Sequence, residues 1–371
     1  MNIIPGEGML SFQQEVEEAR EKINERLFRF LEDKKRVAGD WYNEKLYSLL
    51  IDFAMRGGKR LRPILMVEAY KASGREDIDA IMNASLSMEF VENYLLIHDD
   101  IIDRDDTRRG GPSFHKMVER FMEHYYIVLP FMEEKDRELL QDRDFTHFGL
   151  SCALIGGDVF SSLALLPILE SPFPSRMKST ALKEFALACE QCFRGELMDI
   201  ILEKRGDVDE DEFIRMVDLK TGSYTTSLPL VLGGIFGGLK DLKMLREYGK
   251  LIGRAFQITD DILGTFGDNK KTGKPTSSDI RQGKKTLLVI YVFKNAGSKE
   301  RKFLKAKLGS NVSEDDMERI KNIMVDCGAV DYSQKRIEYY TELARESLLS
   351  SPLKYKGFFL QFIDYLKKRK F

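Results

Sequence analysis

The sequence contains few of the residues that interrupt or cross-link a chain. It has 10 Pro, 4 Cys, 4 His and a single Trp among 371 residues. A low proline content is compatible with long uninterrupted helices, because proline disrupts a helix interior. Four cysteines without a regular spacing exclude the disulfide framework of a small secreted domain and favour a reducing compartment.

An excess of charge of one sign is also missing. The chain has 58 Lys+Arg and 60 Asp+Glu, which gives a net charge of −2. This balance argues against nucleic acid or a charged membrane surface as a partner. The N-terminus has no basic region followed by an apolar segment, so we expect no signal peptide and a cytoplasmic location. The longest uncharged stretch, residues 221–239, is interrupted by Pro229, and we predict a buried segment instead of a membrane span.

The apolar residues recur mostly at intervals of three and four. Leu46, Leu49, Leu50 and Phe53 follow this pattern, which is typical of amphipathic helices. No sustained alternation of apolar and polar residues flanks an Asn-Gly or Asp-Gly turn, so no strands are predicted. We therefore predict an all-α fold, with residues 1–371 in a single large domain. Residues 117–146 are charged and lack a clear register, and a pair of surface helices is the simplest interpretation of them.

The segment YLLIHDDIID, residues 94–103, is the first strong functional signal. On a helix Asp99 and Asp103 share one face. Like charges at this spacing repel by roughly 0.2–0.5 kcal/mol per pair. The other residues of the segment are mostly apolar and typical of a buried helix. Carboxylates on a buried helix need a compensating cation, and oxygen ligands favour Mg²⁺, which binds through one or two carboxylates plus substrate phosphates. An acidic rim on an amphipathic helix is the alternative.

A second acidic segment, QITDDILG at residues 257–264, repeats the pattern. Two such helices facing one another across a cavity could hold divalent cations, which would clamp a diphosphate and neutralise its charge as it leaves. Basic residues suited to phosphate oxygens flank both segments. They are Lys59, Arg62, Arg108, Arg109, Lys220, Lys274 and Lys284. Lys59 and Arg62 belong to GGKRLRP at a predicted helix start, which also favours anions.

From about residue 45 to about residue 350 the chain resembles the trans-isoprenyl diphosphate synthases, in the short-chain group that makes farnesyl and geranylgeranyl diphosphate. The resemblance rests on an ordered set of motifs: GGKRLRP, LIHDDIIDRDDTRRG, GGDVFSSLA, KTGSYT, FQITDDILGTFGD and GKPTSSDIRQGKKT. It implies an all-α bundle or barrel of long helices around a deep central cavity, normally in a homodimer. It also implies condensation of isopentenyl diphosphate with an allylic diphosphate.

The resemblance assigns roles to individual residues. The first Mg²⁺ motif would be Asp99, Asp100 and Asp103, and the second would be Asp260 and Asp261, with Mn²⁺ as an alternative metal. The allylic diphosphate would be held by Arg108, Lys220, Thr221, Gln257 and Lys284. Isopentenyl diphosphate would be held by Gly58, Lys59, Arg62 and Arg109. Lys274 would lie in a loop that closes over the site and excludes water.

The chain departs from the family pattern at three places. Glu92 stands where many members have His or Gln near isopentenyl diphosphate, and a carboxylate beside a diphosphate is electrostatically unfavourable unless a cation or proton intervenes. Gly264 stands where the second motif often ends in Asp. Between His115 and Gly157 the chain is about two dozen residues longer than the family pattern, and this insertion has no assigned role.

Product length depends in this family on the residues four and five positions before the first Asp, at the floor of the tail pocket. These are Leu95 and Tyr94. Only one of these two residues, Tyr94, has a large aromatic side chain, and DDIID contains no insertion. Both features favour geranylgeranyl diphosphate as the product, with farnesyl diphosphate as the alternative. Replacing Tyr94 by alanine is expected to lengthen the product.

Other classes of protein share single features of this sequence. An HD-type phosphohydrolase would need a histidine before the His98–Asp99 dyad, and none precedes it, so we interpret His98 as a packing residue. A terpene cyclase would not need GGKRLRP. A non-catalytic partner subunit would typically have lost an acidic motif. Cys189 and Cys192 lack a second pair at zinc-binding spacing, so we interpret them as thiols of the core or the surface and not as zinc ligands.

Overall fold

The computed structural model describes residues 12–128, 145–267, 278–351 and 353–368. Lys274 and residues 129–144 of the predicted insertion lie outside the described residues. The described elements are nearly all helices, so the predicted all-α class is confirmed. The first half contains α1 (Phe12–Ala38), α2 (Trp41–Met55), α3 (Leu61–Ala72), α4 (Asp79–Ile102), β1 (Thr107–Arg108), β2 (Gly111–Pro112), α5 (Phe114–Val128), α6 (Thr146–Leu163) and α7 (Leu166–Leu169). The second half contains α8 (Ser175–Lys204), α9 (Glu210–Val217), the π-helix π1 (Asp218–Ser227), α10 (Leu228–Gly237), α11 (Lys243–Phe266), α12 (Ser278–Gln282), α13 (Leu287–Asn295), α14 (Ser298–Lys307), α15 (Glu314–Asp326), α16 (Ala329–Leu349) and α17 (Gly357–Lys368).

Several helices begin at a side chain that accepts a hydrogen bond from the first turn. Asp40 accepts one from the backbone N–H of Asn43 at the start of α2, over 3.0 Å. Asp209 and Glu212 form a reciprocal capping box at the start of α9. Each such cap contributes about 1 kcal/mol by satisfying a backbone donor that the helix itself cannot.

The helices form two compact units. The larger unit comprises Met1–Ala19, Leu61–Ser85 and Ser171–Phe371, and the smaller unit comprises Arg20–Arg60 and Leu86–Glu170. Helices α1 and α4 each contribute residues to both units. The assignment of residues 1–371 to a single domain stays a prediction.

The smaller unit is built around buried aromatic rings. Phe53 on α2 meets Phe114 on α5 edge to face, with the ring centroids 5.7 Å apart. Phe90 on α4 stacks with Phe160 on α6 at 6.1 Å. All four rings are almost completely inaccessible to solvent. Burying each side chain contributes about 1.5–3 kcal/mol, so these rings fix the packing of the four helices.

In the larger unit α3 packs against α10, and α11 packs against α16. Every residue of α10 is buried, as are five of the ten residues of π1. The prediction that residues 221–239 form a buried segment is therefore confirmed up to residue 237. Tyr248 on α11 is fully buried, and its hydroxyl donates a hydrogen bond of 3.0 Å to the carbonyl oxygen of Phe359 on α17.

The π-helix π1 packs between α8 and α11. Gly195 on α8 permits a close approach, because a Cβ there would lie 2.7 Å from the carbonyl carbon of Leu219. On the other side the hydroxyl of Thr226 donates a 2.6 Å hydrogen bond to the carbonyl oxygen of Gly249. Such wide turns are rare and often occur at functional sites, and this one carries the KTGSYT motif.

A short hairpin follows α4. Thr107 and Arg108 pair in antiparallel fashion with Pro112 and Gly111. The two turn residues, Arg109 and Gly110, have φ of +52° and +74°, as a two-residue type I′ turn requires. The sequence did not predict this hairpin, because strands of two residues are too short to show an alternating pattern.

Among the described residues, one stretch is long and apolar enough to cross a membrane by length and composition. It is Thr146–Leu169, within which an 18-residue window has a mean hydropathy of 1.9 and is 44% buried within the protein. The core helix of a soluble protein would meet the same criterion. Phe148, Leu154 and Ile155 on this stretch are exposed.

Candidate active site

The first acidic motif ends α4 in the smaller unit and is bound to the hairpin by Arg108. The guanidinium Nε of Arg108 donates to Asp100 Oδ1 over 2.7 Å, and its Nη2 donates to Asp99 Oδ2 over 2.9 Å. Asp100 is fully buried, whereas Asp99 is partly exposed. Asp103 follows the end of the helix, and its backbone N–H donates to the carbonyl oxygen of Asp99. The motif therefore presents carboxylates of unequal accessibility.

The charge of Arg108 is stabilised by these carboxylates. Burial disfavours the charged guanidinium, but Asp99, Asp100 and Asp105 outweigh this effect and raise the pKa of Arg108. Arg108 is thus a permanent cation within the acidic motif. The sequence analysis assigned Arg108 to the allylic diphosphate, and it did not predict that Arg108 would pair with the first acidic motif itself.

Arg109, at the tip of the hairpin, lies against Gly58. A Cβ at residue 58 would lie 3.2 Å from Arg109 Nη2, and Gly58 has a φ of +107° that other residues rarely adopt. Glu92 Oε1 is 3.9 Å from Arg109 Nη2, while Arg109 Nη1 is buried without a hydrogen-bond partner among the described residues. Burial lowers the pKa of Arg109 although Glu92 opposes this shift. Glu92 therefore has a cation beside it, which partly offsets the electrostatic difficulty raised by the sequence.

The basic residues of GGKRLRP occupy different environments. In the smaller unit Lys59 is exposed, whereas Arg60 is buried and makes a 2.5 Å ion pair with Glu89. In the larger unit Arg62 donates hydrogen bonds to the hydroxyls of Tyr224 and Thr225 and lies over the Tyr224 ring. Of the residues predicted to bind isopentenyl diphosphate, Gly58 and Arg109 are thus in contact with each other, whereas Arg62 contacts π1.

Lys220 lies on π1, where α8 supplies two acidic partners. Its Nζ is 2.8 Å from Asp199 Oδ2 and 2.8 Å from Glu196 Oε2. Both carboxylates project from one side of α8, three residues apart. The sequence analysis missed them, although an acidic pair at this spacing in an otherwise apolar segment was the available signal.

A hydrogen-bonded row connects π1 to the second acidic motif. Thr221 Oγ1 donates to Gln257 Oε1 over 2.5 Å, and Gln257 Nε2 donates to Asp261 Oδ1 over 2.8 Å. Asp261 is buried and Asp260 is half-buried. The structure therefore brings together three of the predicted residues, Thr221, Gln257 and Asp261, as one unit.

The second motif has the character of a cation site. Asp261 Oδ2 is buried and has no hydrogen-bond partner among the described residues. Burial raises the pKa of Asp261 well above its usual range, and the neighbouring carboxylates of Asp279 and Asp260 raise it further. A bound divalent cation would satisfy this oxygen and relieve the repulsion. The residues present therefore fit a metal.

Asp279 approaches the position of the third motif residue. A Cβ at Gly264 would lie only 2.9 Å from Asp279 Oδ2, so the missing side chain leaves room for this carboxylate. Asp279 belongs to the quoted motif GKPTSSDIRQGKKT but was not assigned a role from the sequence. No group of three His, Cys, Asp or Glu residues within the described parts of the chain is already positioned to hold a metal.

The remaining predicted residues are distributed as follows. Lys284 is half-buried, and its backbone N–H donates to the carbonyl oxygen of Asp279 over 2.9 Å. Lys274 lies outside the described residues. Tyr94 and Leu95 are half-buried on α4, with Leu95 one turn before Asp99 on the same face. The Tyr94 ring meets the imidazole of His98 edge to face, with 4.7 Å between centroids.

Comparison with known proteins identifies the family. Residues 43–324 match the family model described as polyprenyl synthetase. The chain belongs to the polyprenyl synthetase family. A geranylfarnesyl diphosphate synthase of Aeropyrum pernix is 34% identical over 314 residues, covering 83% of this chain and 88% of the relative. A geranylgeranyl pyrophosphate synthase of Geoglobus acetivorans is 32% identical over 94% of this chain and 96% of the relative.

Solved structures of the same polyprenyl synthetase type match the fold. The geranylgeranyl pyrophosphate synthase from Corynebacterium glutamicum, complexed with isoprenyl diphosphate and magnesium, has a TM-score of 0.85 and 28% identity. The match covers 95% of this chain and 99% of that one. The family resemblance predicted from the motifs is therefore confirmed.

Proposed function

We propose that this chain is a geranylgeranyl diphosphate synthase, which condenses isopentenyl diphosphate head to tail with allylic diphosphates. Family membership makes it a prenyltransferase, and relatives named as geranylgeranyl diphosphate synthases support this product over farnesyl diphosphate. The observation that carries the proposal is the buried second acidic motif. Asp261 has an oxygen without a protein partner beside further carboxylates, which fits a metal-bound diphosphate.

The metal is proposed to be Mg²⁺. Asp99 and Asp103 would hold it at the first motif and Asp260 and Asp261 at the second, while the buried Asp100 would mainly fix Arg108. A divalent cation bound to diphosphate oxygens neutralises the charge that develops as the diphosphate leaves. The geranylgeranyl pyrophosphate synthase from Corynebacterium glutamicum, complexed with magnesium, supports this choice.

The residues of the chain position the two substrates in this proposal. Lys220, Thr221, Gln257, Lys284 and Arg108 would hold the allylic diphosphate. Gly58, Lys59, Arg62 and Arg109 would hold isopentenyl diphosphate, and the unpartnered buried Nη1 of Arg109 supports its role. Fixed cations of this kind stabilise leaving charge without reorganising during the reaction.

The proposed condensation needs no reactant besides isopentenyl diphosphate and the allylic diphosphate. The allylic C–O bond breaks, and the diphosphate leaves with the electron pair. The double bond of isopentenyl diphosphate then attacks the allylic cation and forms the new C–C bond. A proton is lost from the resulting cation to the departing diphosphate. Excluding water from the site is essential, because water would quench the allylic cation.

A homodimer and a cytoplasmic location are further parts of the proposal. On α8, Phe193, Leu197 and Ile201 are exposed at intervals of four residues, and α6 exposes Leu154 and Ile155. Apolar rows of this kind on a soluble enzyme favour a subunit interface. Replacing Leu197 by glutamate is expected to produce monomers in sedimentation analysis. A wild-type protein that is monomeric would contradict the dimer.

The activity can be tested directly by incubating the protein with Mg²⁺, isopentenyl diphosphate and each allylic diphosphate in turn. The chain length of the products is then measured by mass spectrometry, and we expect a C20 product. Asp99→Ala should abolish turnover with unchanged helicity by circular dichroism. Asp207→Ala, at an almost fully exposed carboxylate, is the matched control and should retain full activity. Absence of condensation with every primer would refute the proposed function.

A further inference from the structure

A cavity of about 940 Å³ lies in the larger unit, and its lining includes none of the residues assigned to a metal or a substrate. Its wall is formed by the segment between α8 and α9, by the start of α9, and by α13 and α14. Lys285 and Tyr332 complete the lining. A volume of this size is typical of a site for a small molecule. The cavity is therefore a candidate for a second binding site.

The helices α13 and α14 line this cavity with cations that have no acidic partner. Arg301, Lys302 and Lys305 belong to α14, and Lys294 belongs to the last turn of α13. None of these four side chains forms an ion pair or a hydrogen bond within the described parts of the chain. Like charges three or four residues apart on a helix repel one another. An anion bound beside these side chains would relieve that repulsion.

The carboxylates that line the cavity, by contrast, already have partners. Arg205 pairs with Glu212 over 2.5 Å and lies 3.8 Å from Asp207. Glu210 Oε1 lies 2.8 Å from Arg336 Nε, and the fourth carboxylate is the N-cap of α9. Six basic and four acidic residues line the cavity in all. Because the unpaired charges are basic, the cavity favours an anionic ligand.

Lys285 adds a buried cation to this lining. The residue is only 7% exposed, and its Nζ donates to the carbonyl oxygens of Glu203 over 2.9 Å and of Gly283 over 3.0 Å. Burial lowers the pKa of Lys285, although the Glu203 carboxylate opposes this shift. An ammonium group has three donors, and these two bonds leave one for a ligand. A bound anion would accept this third hydrogen bond and stabilise the buried charge.

We propose that this cavity is a second anion site, which binds the diphosphate group of a small molecule. A diphosphate carries several negative charges and suits a cluster of arginine and lysine side chains. The choice of diphosphate over other anions rests on the proposed function. That reaction releases inorganic diphosphate and forms a prenyl diphosphate, so both sources of the group are present wherever the enzyme acts.

Isothermal titration calorimetry with inorganic diphosphate tests the site directly. EDTA is included, so that binding that depends on the metal of the acidic motifs is not measured, and the ionic strength is physiological, so that weak surface binding is screened. We expect the wild type to bind diphosphate under these conditions. Arg301→Gln/Lys302→Gln/Lys305→Gln should bind it at least about tenfold more weakly, because three cations that bind phosphate oxygens are lost. These side chains are exposed, so the fold should persist, and circular dichroism verifies this.

A matched variant controls for the loss of positive charge in general. Lys240→Gln/Lys243→Gln/Lys299→Gln removes the same charge from exposed positions of the larger unit that do not line the cavity. It should bind diphosphate as tightly as the wild type. Equal weakening in the two triple variants would overturn the proposal, because it would show a diffuse electrostatic effect without a defined site.

The two sources of the diphosphate group are distinguished by repeating the titrations with geranylgeranyl diphosphate. If the cavity binds the prenyl compound, this ligand should bind the wild type more tightly than inorganic diphosphate does, and the cavity variant should lose the difference. If the cavity binds free diphosphate, the cavity variant should weaken the binding of both ligands to the same extent. Either result supports a diphosphate site.

The calorimetry needs no turnover, so the site and the proposed function can fail separately. A wild type that binds diphosphate through the cavity but condenses no substrates contradicts the proposed function alone. An active synthase that binds no diphosphate in EDTA overturns the second site. So does an active synthase whose cavity variant binds diphosphate as tightly as the wild type.

Discussion

Replacing Arg60 by methionine separates structural from substrate-binding cations in GGKRLRP. Each nitrogen of the Arg60 guanidinium donates to a protein oxygen. Nη1 reaches Glu89 over 2.5 Å, Nε reaches Asn24 over 2.8 Å, and Nη2 reaches the carbonyl oxygen of Ala54 over 2.6 Å. The ion-paired side chains of Arg60 and Glu89 are only 1% and 3% exposed. Arg60 is therefore committed to the fold.

The magnitude follows from what the substitution leaves behind. Arg60→Met leaves the Glu89 carboxylate buried without its cation, which should destabilise the protein by about 3–5 kcal/mol. The double variant Arg60→Met/Glu89→Met removes both charges and should recover much of this loss, because apolar replacement of a buried pair is often neutral or stabilising by about 1–4 kcal/mol. Lys59→Met, at the exposed neighbour, should change stability by less than about 0.5 kcal/mol.

Urea denaturation followed by far-ultraviolet circular dichroism measures these differences, and steady-state kinetics measures KM for isopentenyl diphosphate. We expect Arg60→Met to shift the denaturation midpoint strongly. We expect Lys59→Met to raise KM with an unchanged midpoint. Equal midpoints for the two single variants would refute the reasoning, as would a double variant no more stable than Arg60→Met.

Three further predictions concern the site and the thiols. Asp261→Asn keeps an acceptor for Gln257 but removes the charge, so turnover should fall at least about a hundredfold; activity near the wild-type level would contradict the metal assignment. Glu92→Gln removes a carboxylate 3.9 Å from Arg109, and KM for isopentenyl diphosphate should fall roughly fivefold, which corresponds to about 1 kcal/mol; a higher KM would mean that Glu92 orients Arg109 instead. Burial raises the pKa of Cys189 to about 12, so its alkylation by iodoacetamide at pH 8 should be about a thousandfold slower than that of a free thiol, with the urea-unfolded protein as the control.

The helices could be predicted because their signal is local. The spacing of apolar residues indicated α2, and the low proline content indicated that the helices are long. The ordered motifs also identified residues that the structure brings into contact, such as Thr221 with Gln257. Thr221 and Gln257 meet because π1, which carries the KTGSYT motif, packs against α11, which carries the second acidic motif.

Partners outside a motif could not be predicted in the same way. Lys59 and Arg60 are adjacent and similar in charge, yet one is exposed and the other is buried against Glu89. The distinction depends on a partner 29 residues away. Likewise, the sequence presented Glu92 as an anomaly, because nothing local indicated that Arg109 would lie beside it. The hairpin that carries Arg109 has strands of only two residues, which are too short to show alternating apolar and polar residues.

The π-helix accounts for the unusual density of hydroxyl groups in the TGSYTTS stretch of π1. Ser223 donates to the carbonyl oxygen of Ala188 on α8, and Thr226 donates to that of Gly249 on α11. These hydroxyls join π1 to its neighbours in addition to the ion pairs of Lys220 with α8 and of Asp218 with α11. Among them, Thr221 bonds Gln257, and Tyr224 and Thr225 accept hydrogen bonds from Arg62, so three of these hydroxyls reach side chains assigned to the site. Some serines and threonines of π1 therefore bond the backbone of neighbouring helices. The number of hydroxyls in such a motif does not indicate how many groups contact a substrate.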